Sequence, residues 1–123
     1  MQAGEIIEVA RNAELLNTLL GTNYKQWYKS TYQLTVDTMI WIIRLDNKLR
    51  NGWRNRMENG RIVEEFNEDT TPSNLYLGMQ VKKRVVFEKT SDGFVFHGVY
   101  QYDETTSNPK HRELVKIADA YSF

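Results

Sequence analysis

Apolar side chains near the amino terminus recur at three- and four-residue spacing, at Ile6, Val9, Ala10, Ala13, Leu16 and Leu20. That period predicts an amphipathic helix closed by Gly21, where a left-handed terminator is wanted. Thr22 to Thr38 shows no clean period, so a second, shorter helix or an irregular packed segment is expected there. The run MIWIIRL, from Met39 to Leu45, is continuous and β-rich, as in a strand buried on both faces. Asn51-Gly52 and Asn59-Gly60 then bracket Trp53 to Met57, and Arg61 to Phe66 is again strand-like, which predicts two successive tight hairpins. NEDTTPSN, Asn67 to Asn74, carries the strongest loop signal. Val81 to Lys89 and Phe94 to Tyr102 flank Thr90 to Gly93 as a third hairpin. In its second arm Phe94, Phe96, Gly98, Tyr100 and Tyr102 share one face. After a loop from Asp103 to Pro109, Arg112 to Ile117 makes a last strand or short helix.

Together these elements predict an α+β fold of one domain, residues 1–123. One or two N-terminal helices would pack on a twisted, mainly antiparallel sheet of about five or six strands, partly closed into a barrel.

Composition changes the picture mainly by exclusion. The chain has 123 residues, 41% hydrophobic and 26% charged, which is enough for one core and far from the disordered regime. It has no cysteine, so disulfides, thiolate nucleophiles and cysteine zinc sites are excluded, and a cytoplasmic location is expected. Glu5, Glu8 and Glu14 interrupt the first apolar pattern, unlike a signal peptide, and no apolar run is long enough to span a bilayer.

Net charge is zero, which argues against wholesale attraction to nucleic acid or an anionic membrane. The charges are unevenly distributed, however. Residues 1–61 hold nine basic and six acidic side chains, and residues 62–123 hold seven and ten. An acidic run, Glu64, Glu65, Glu68 and Asp69, follows the basic one.

The basic excess lies between Arg44 and Arg61. Lys48, Arg50, Arg54, Arg56 and Arg61 gather around Trp53 there, and Asn47, Asn51 and Asn55 lie among them. Guanidinium groups neutralise phosphates, an indole stacks on an unpaired base, and asparagine amides bond base edges. Lys48, Arg50, Trp53, Arg54, Arg56 and Arg61 are therefore the candidate nucleic-acid-binding residues. The same residues have a plainer reading, in which cations blunt a sheet edge and Trp53 folds inward beneath a stacked arginine. Lys82, Lys83 and Arg84 form a smaller cluster, which merges with the first only if the sheet brings the two strands together.

Catalytic and cofactor signals fail on spacing. His97 and His111 stand fourteen residues apart near Asp103, Glu104 and Glu113, without the ligand spacing of a metal motif. Glu64 with Glu65, or Glu88 with Asp92, would suit a magnesium-dependent nuclease, but Lys89 follows Glu88 directly and so faces the other way. Gly98-Val99-Tyr100 resembles the strand that opens the nuclease family named for Gly-Ile-Tyr and Tyr-Ile-Gly. Tyr76-Leu77-Gly78 precedes it instead of following, which removes the match. Arg84 to Ile117 resembles, in general character only, small accessory domains of prokaryotes and their phages.

A non-catalytic binding module is the expected class, without cofactor or metal, contacting nucleic acid through the basic, Trp-containing region. A protein-protein module, such as an inhibitor, adaptor or complex subunit, is the alternative. A small enzyme with an unrecognised site is the second alternative.

Overall fold

The computed structural model describes residues 1–67 and 81–123. The predicted Asn67 to Asn74 loop, beyond Asn67, lies outside them, as do Glu68, Asp69 and Tyr76-Leu77-Gly78. In chain order the elements are β1 (Ile6–Ile7), α1 (Asn12–Leu20), β2 (Thr31–Gln33), β3 (Thr38–Ile43), β4 (Trp53–Glu58), β5 (Arg61–Phe66), β6 (Lys83–Thr90), β7 (Gly93–Tyr102) and β8 (His111–Ala118). These eight strands form one sheet in the order β2-β3-β6-β7-β8-β5-β4, with β1 added to β7. β3 and β6 run parallel and the other pairs antiparallel, so the sheet is mixed.

This corrects the expected α+β class, in which helices pack on a sheet of five or six strands. The described residues are mostly strand, with one short helix. The predicted helix begins too early. Its first apolar residues, Ile6 and Ile7, pair with Val95 and Phe94 of β7, and Phe96 N–H donates to the Glu5 carbonyl at 2.9 Å. β-branched side chains and an available strand edge outweigh the helical period there. No second helix forms between Thr22 and Thr38. Asn17 fixes the start of that segment, its amide N–H donating to the Tyr24 carbonyl and its Oδ1 accepting from the Thr22 hydroxyl and from Tyr24 N–H, at 2.8–2.9 Å. Tyr24, Trp27 and Tyr32 then pack ring on ring.

The local turn signals act as expected. Gly21 ends α1 at φ 66°, its N–H bonded to the Asn17 carbonyl. Asn51-Gly52 and Asn59-Gly60 all have positive φ, the requirement of type I′ turns. Asn59-Gly60 joins β4 to β5, and Asn51-Gly52 closes on the Arg50–Trp53 bridge. The β6–β7 hairpin turns at Ser91 and Asp92, and the last element is a strand.

Alternation, reversed in β7 by the register shift between Phe96 and Gly98, divides the core between the two faces of the sheet, so the single aromatic face expected for Phe94, Phe96, Tyr100 and Tyr102 is split. Leu15 and Leu16 of α1 cover Ile40, Ile42, Val85, Phe87, Phe94 and Phe96 on one face. On the other lie Trp41, Ile43, Ile62, Val86, Tyr100, Tyr102 and Leu114. β3, buried at all six positions, serves both, which explains its unbroken apolar run.

Gly98 marks the point where one edge of β7 passes from β1 to β8, with φ 116°. A Cβ there would stand 2.5 Å from the Ala118 carbonyl oxygen. We expect Gly98→Val to lower stability by roughly 2–4 kcal/mol, because overpacking and positive-φ strain add, despite valine's β-propensity. An unchanged denaturation midpoint would contradict this.

Candidate nucleic-acid interface

Both edges of the sheet, β2 and β4, contribute to one cavity of about 860 Å³, so the sheet is curved and the cavity occupies its concave side. Thr31, Trp41, Trp53, Glu64, Arg84 and Arg112 line it, one from each of β2, β3, β4, β5, β6 and β8.

At its centre three buried charges meet. Arg112 donates to Glu64 Oε1 at 2.8 Å and Arg84 to Glu64 Oε2 at 3.3 Å. Glu64 and Arg112 face each other across β5 and β8, whereas Arg84 comes from β6, which is not a neighbour of β5. Only the curvature closes that pair. Side-chain exposure is 2% for Arg84, 4% for Arg112 and 8% for Glu64, so the desolvation cost is high and one carboxylate answers two guanidinium groups. Aromatic faces supply further stabilisation. The Arg84 guanidinium carbon lies 4.1 Å from the Trp41 ring centroid and 4.8 Å from that of Tyr102, and Arg112 lies 4.6 Å from Trp53. Burial pushes the Arg84 pKa down, Glu64 pulls it back up, and neighbouring Arg112 pushes it down again.

The residues predicted from sequence are split by this arrangement. Trp53 is half-buried, lines the cavity, and packs on Phe66 with ring centroids 4.9 Å apart. Arg50 also lines the cavity and holds Asp46 through two hydrogen bonds of 2.6 and 2.7 Å, which keep that carboxyl well below the usual range. Arg54 and Arg56 alternate with Trp53 and Asn55 and so point to the opposite face of β4. Arg56 is held by Glu65 and Glu58, and Arg61 by Asp103 at 2.7 Å. Bonds from Thr105 and Arg61 bring the Asp103 pKa down to about 2. Lys48 is exposed.

The two basic clusters do not join as neighbouring strands. Lys82 and Lys83 pair with Glu104 and Asp37 outside, and Arg84 alone turns inward.

Several cavity residues escape a linear reading. Lys29, Arg44 and Lys89 line it without a carboxylate partner among the described residues. With Arg50, Arg84 and Arg112 they make six basic side chains against Glu64 among the described residues that line it. The Asn55 Oδ1 atom is buried at the wall without a hydrogen-bond partner among the described residues. One sequence signal was available for the central charges. Arg84, Glu64 and Arg112 each stand two residues from an apolar inward position, Val86, Ile62 and Leu114.

The other chemical candidates are separate. His97 pairs with Glu88 at 2.8 Å and His111 with Glu113 at 3.3 Å, and no group of three metal-ligand side chains occurs among the described residues. Glu64 and Glu65 point to opposite faces of β5, the first into the triad and the second to Arg56. Among the described residues no helix is long and apolar enough to cross a membrane.

A curved sheet with a cation-lined, aromatic-walled cavity defines a β-sheet ligand-binding domain. Over residues 1–123 the chain matches the family model described as SRA, the SET and RING associated domain, and it belongs to that family. This membership supports a nucleic-acid-binding module. Among solved structures it is similar to "The 5-Hydroxymethylcytosine-Specific Restriction Enzyme AbaSI", with a TM-score of 0.62 and 18% identity, over 95% of this chain and 41% of that one. At that identity the likeness is one of fold, and this chain spans less than half of that enzyme's length. No curated protein matches the chain.

Proposed function

We propose that the module binds DNA on its concave side and receives one base, unstacked from the helix, in the cavity, with cytosine modified at its 5-position as the ligand class. The observation that carries this reading is the cavity lining among the described residues: Lys29, Arg44, Arg50 and Lys89 with half-buried Trp53 and the buried Arg84–Glu64–Arg112 triad, around about 860 Å³. That volume lies within the roughly 300–1,000 Å³ of small-ligand sites. Proteins that read a single base closely take it out of the stack and hold it between flat apolar walls and hydrogen-bonding groups. Trp53, which is half-buried, is such a wall, and Thr31, Ser30 and the Asn55 amide are such groups. Lys29, Arg44, Arg50 and Lys89 meet phosphates around them. The modified base follows from the AbaSI likeness, since the printed name of that enzyme specifies 5-hydroxymethylcytosine.

We read the module as non-catalytic. The acidic group at the cavity among the described residues, Glu64, has both oxygens engaged by guanidinium donors, so it serves as a brace for the two arginines.

The test is fluorescence anisotropy on duplexes carrying cytosine, 5-methylcytosine or 5-hydroxymethylcytosine over a salt series, with 2-aminopurine beside the site to report unstacking. Each phosphate contact contributes a slope of about −0.9 in log K against log salt. Lys29→Gln with Arg44→Gln should therefore flatten the slope by about 2, and Trp53→Ala should weaken binding by roughly 1–3 kcal/mol if the indole stacks on the base. Absence of binding to any duplex at low salt would overturn the reading in favour of a protein partner.

A further inference from the structure

A second groove, of about 430 Å³, runs between the start of α1 and the segment Lys25 to Tyr28. It meets the main cavity at Asn12 and Lys89, which line both. Hydrogen bonds hold its two sides together. Arg11 Nη1 donates to the Lys25 carbonyl at 3.3 Å, Asn12 Nδ2 to the Lys29 carbonyl at 3.4 Å, and Lys89 Nζ to Asn12 Oδ1 at 3.4 Å.

Its charge has one sign. Arg11, Lys25 and Lys89 line it and no carboxylate of the described residues does, while Lys29 lines the main cavity beside it. Glu14 offsets Arg11 at 2.8 Å, but Lys25, Lys29 and Lys89 have no acidic partner among the described residues. This differs from the outer face of β4 and β5, where Arg56 and Arg61 are held by carboxylates. Tyr28, 85% exposed, leaves its ring free beside these lysines. A row of unanswered cations continuous with a ligand cavity suits a polyanion that extends past the cavity mouth, and an exposed ring among them suits a sugar or base next to the one held.

We propose that this groove holds the sugar-phosphate backbone of the strand whose base enters the main cavity, with Lys25, Arg11 and Lys89 on consecutive phosphates and Tyr28 against the neighbouring nucleotide. The proposal rests on the DNA-reading function above and adds a second, sequence-independent contact to it. Backbone contacts position a strand without reading it. The groove should therefore set affinity and salt dependence and leave the preference among cytosine forms unchanged.

The experiment compares wild type, Lys25→Gln and Arg11→Gln with Lys25→Gln in the same salt series, with thermal midpoints confirming that the exposed substitutions leave the fold intact. The expected result is a slope flatter by about 1 for the single variant and about 2 for the double, with the ratio between modified and unmodified duplexes retained. A second measurement replaces the phosphates flanking the modified base by neutral methylphosphonates. The resulting loss should be present in wild type and smaller in the double variant. If wild type binds and the Trp53→Ala variant loses binding, while both groove variants keep the wild-type slope and the same methylphosphonate response, the groove proposal is overturned and the cavity reading stands. Failure of wild type to bind any duplex overturns both.

Discussion

Leu16→Asp is expected to unfold the protein. Leu16 is fully buried on the inner side of α1 and packs in the cluster that includes Leu15, Ile40, Val85, Phe87, Phe94 and Phe96. Ion pairs of the described residues lie elsewhere, so a carboxylate at that position would sit among apolar atoms without a cation. Burying an unpaired charge costs several kcal/mol, comparable with the roughly 5–15 kcal/mol that holds a domain together. Leu16→Ala, which loses only contacts and leaves a cavity, should cost about 2–5 kcal/mol. Thermal unfolding followed by far-ultraviolet circular dichroism separates the cases. A native midpoint for the aspartate variant would show that the helix contributes little to the core.

Glu64→Ala should be nearly as damaging, for the opposite reason. It removes the acceptor that Arg84 and Arg112 share, so both buried guanidinium groups lose the counter-charge between them. Breaking a buried ion pair by deleting one partner costs about 3–5 kcal/mol, and here a single deletion affects two pairs. Glu64→Gln keeps a carbonyl acceptor and should recover part of that loss in chemical denaturation. An alanine variant as stable as wild type would mean that the aromatic faces of Trp41, Tyr102 and Trp53 suffice to hold the arginines. A folded Glu64→Gln variant should also discriminate less well among cytosine forms, because the groups braced at the cavity floor would no longer be fixed in place.

The local signals were legible where the chain itself decides. Asn51-Gly52, Asn59-Gly60 and Gly93 require positive φ, and the turns stand at those positions. The Met39 to Leu45 run forms the buried strand β3, and the two arms around Thr90 to Gly93 form β6 and β7. What failed was the competition between local period and distant partners. Ile6 and Ile7 fit a helical stripe in sequence, but the edge of β7 offered them hydrogen bonds and an apolar face. Nothing near them in the chain announces that edge.

The site followed the same division. Trp53 and Arg50 belong to the cavity, and they were visible because they sit in a run of basic and turn residues. Arg84, Glu64 and Arg112 were not visible as a set, because they lie on three different strands and acquire their roles only from one another. Lys29 and Lys89 are separated by about half of the chain, yet both line the cavity.

By itself, then, the sequence determined the turns, the buried strand, the carboxy-terminal hairpin and the zero net charge, all properties of short windows or of composition. Tertiary structure decided the eight-stranded mixed sheet, the closure of the Arg84–Glu64–Arg112 triad across its curvature, and the sign of the charge at the cavity. The physical reason is pairing in space. Carboxylates answer the cations of the outer face, while Lys29, Arg44 and Lys89 gather around the concave one without a carboxylate partner among the described residues, so the described part of a chain of no net charge presents a positive site there.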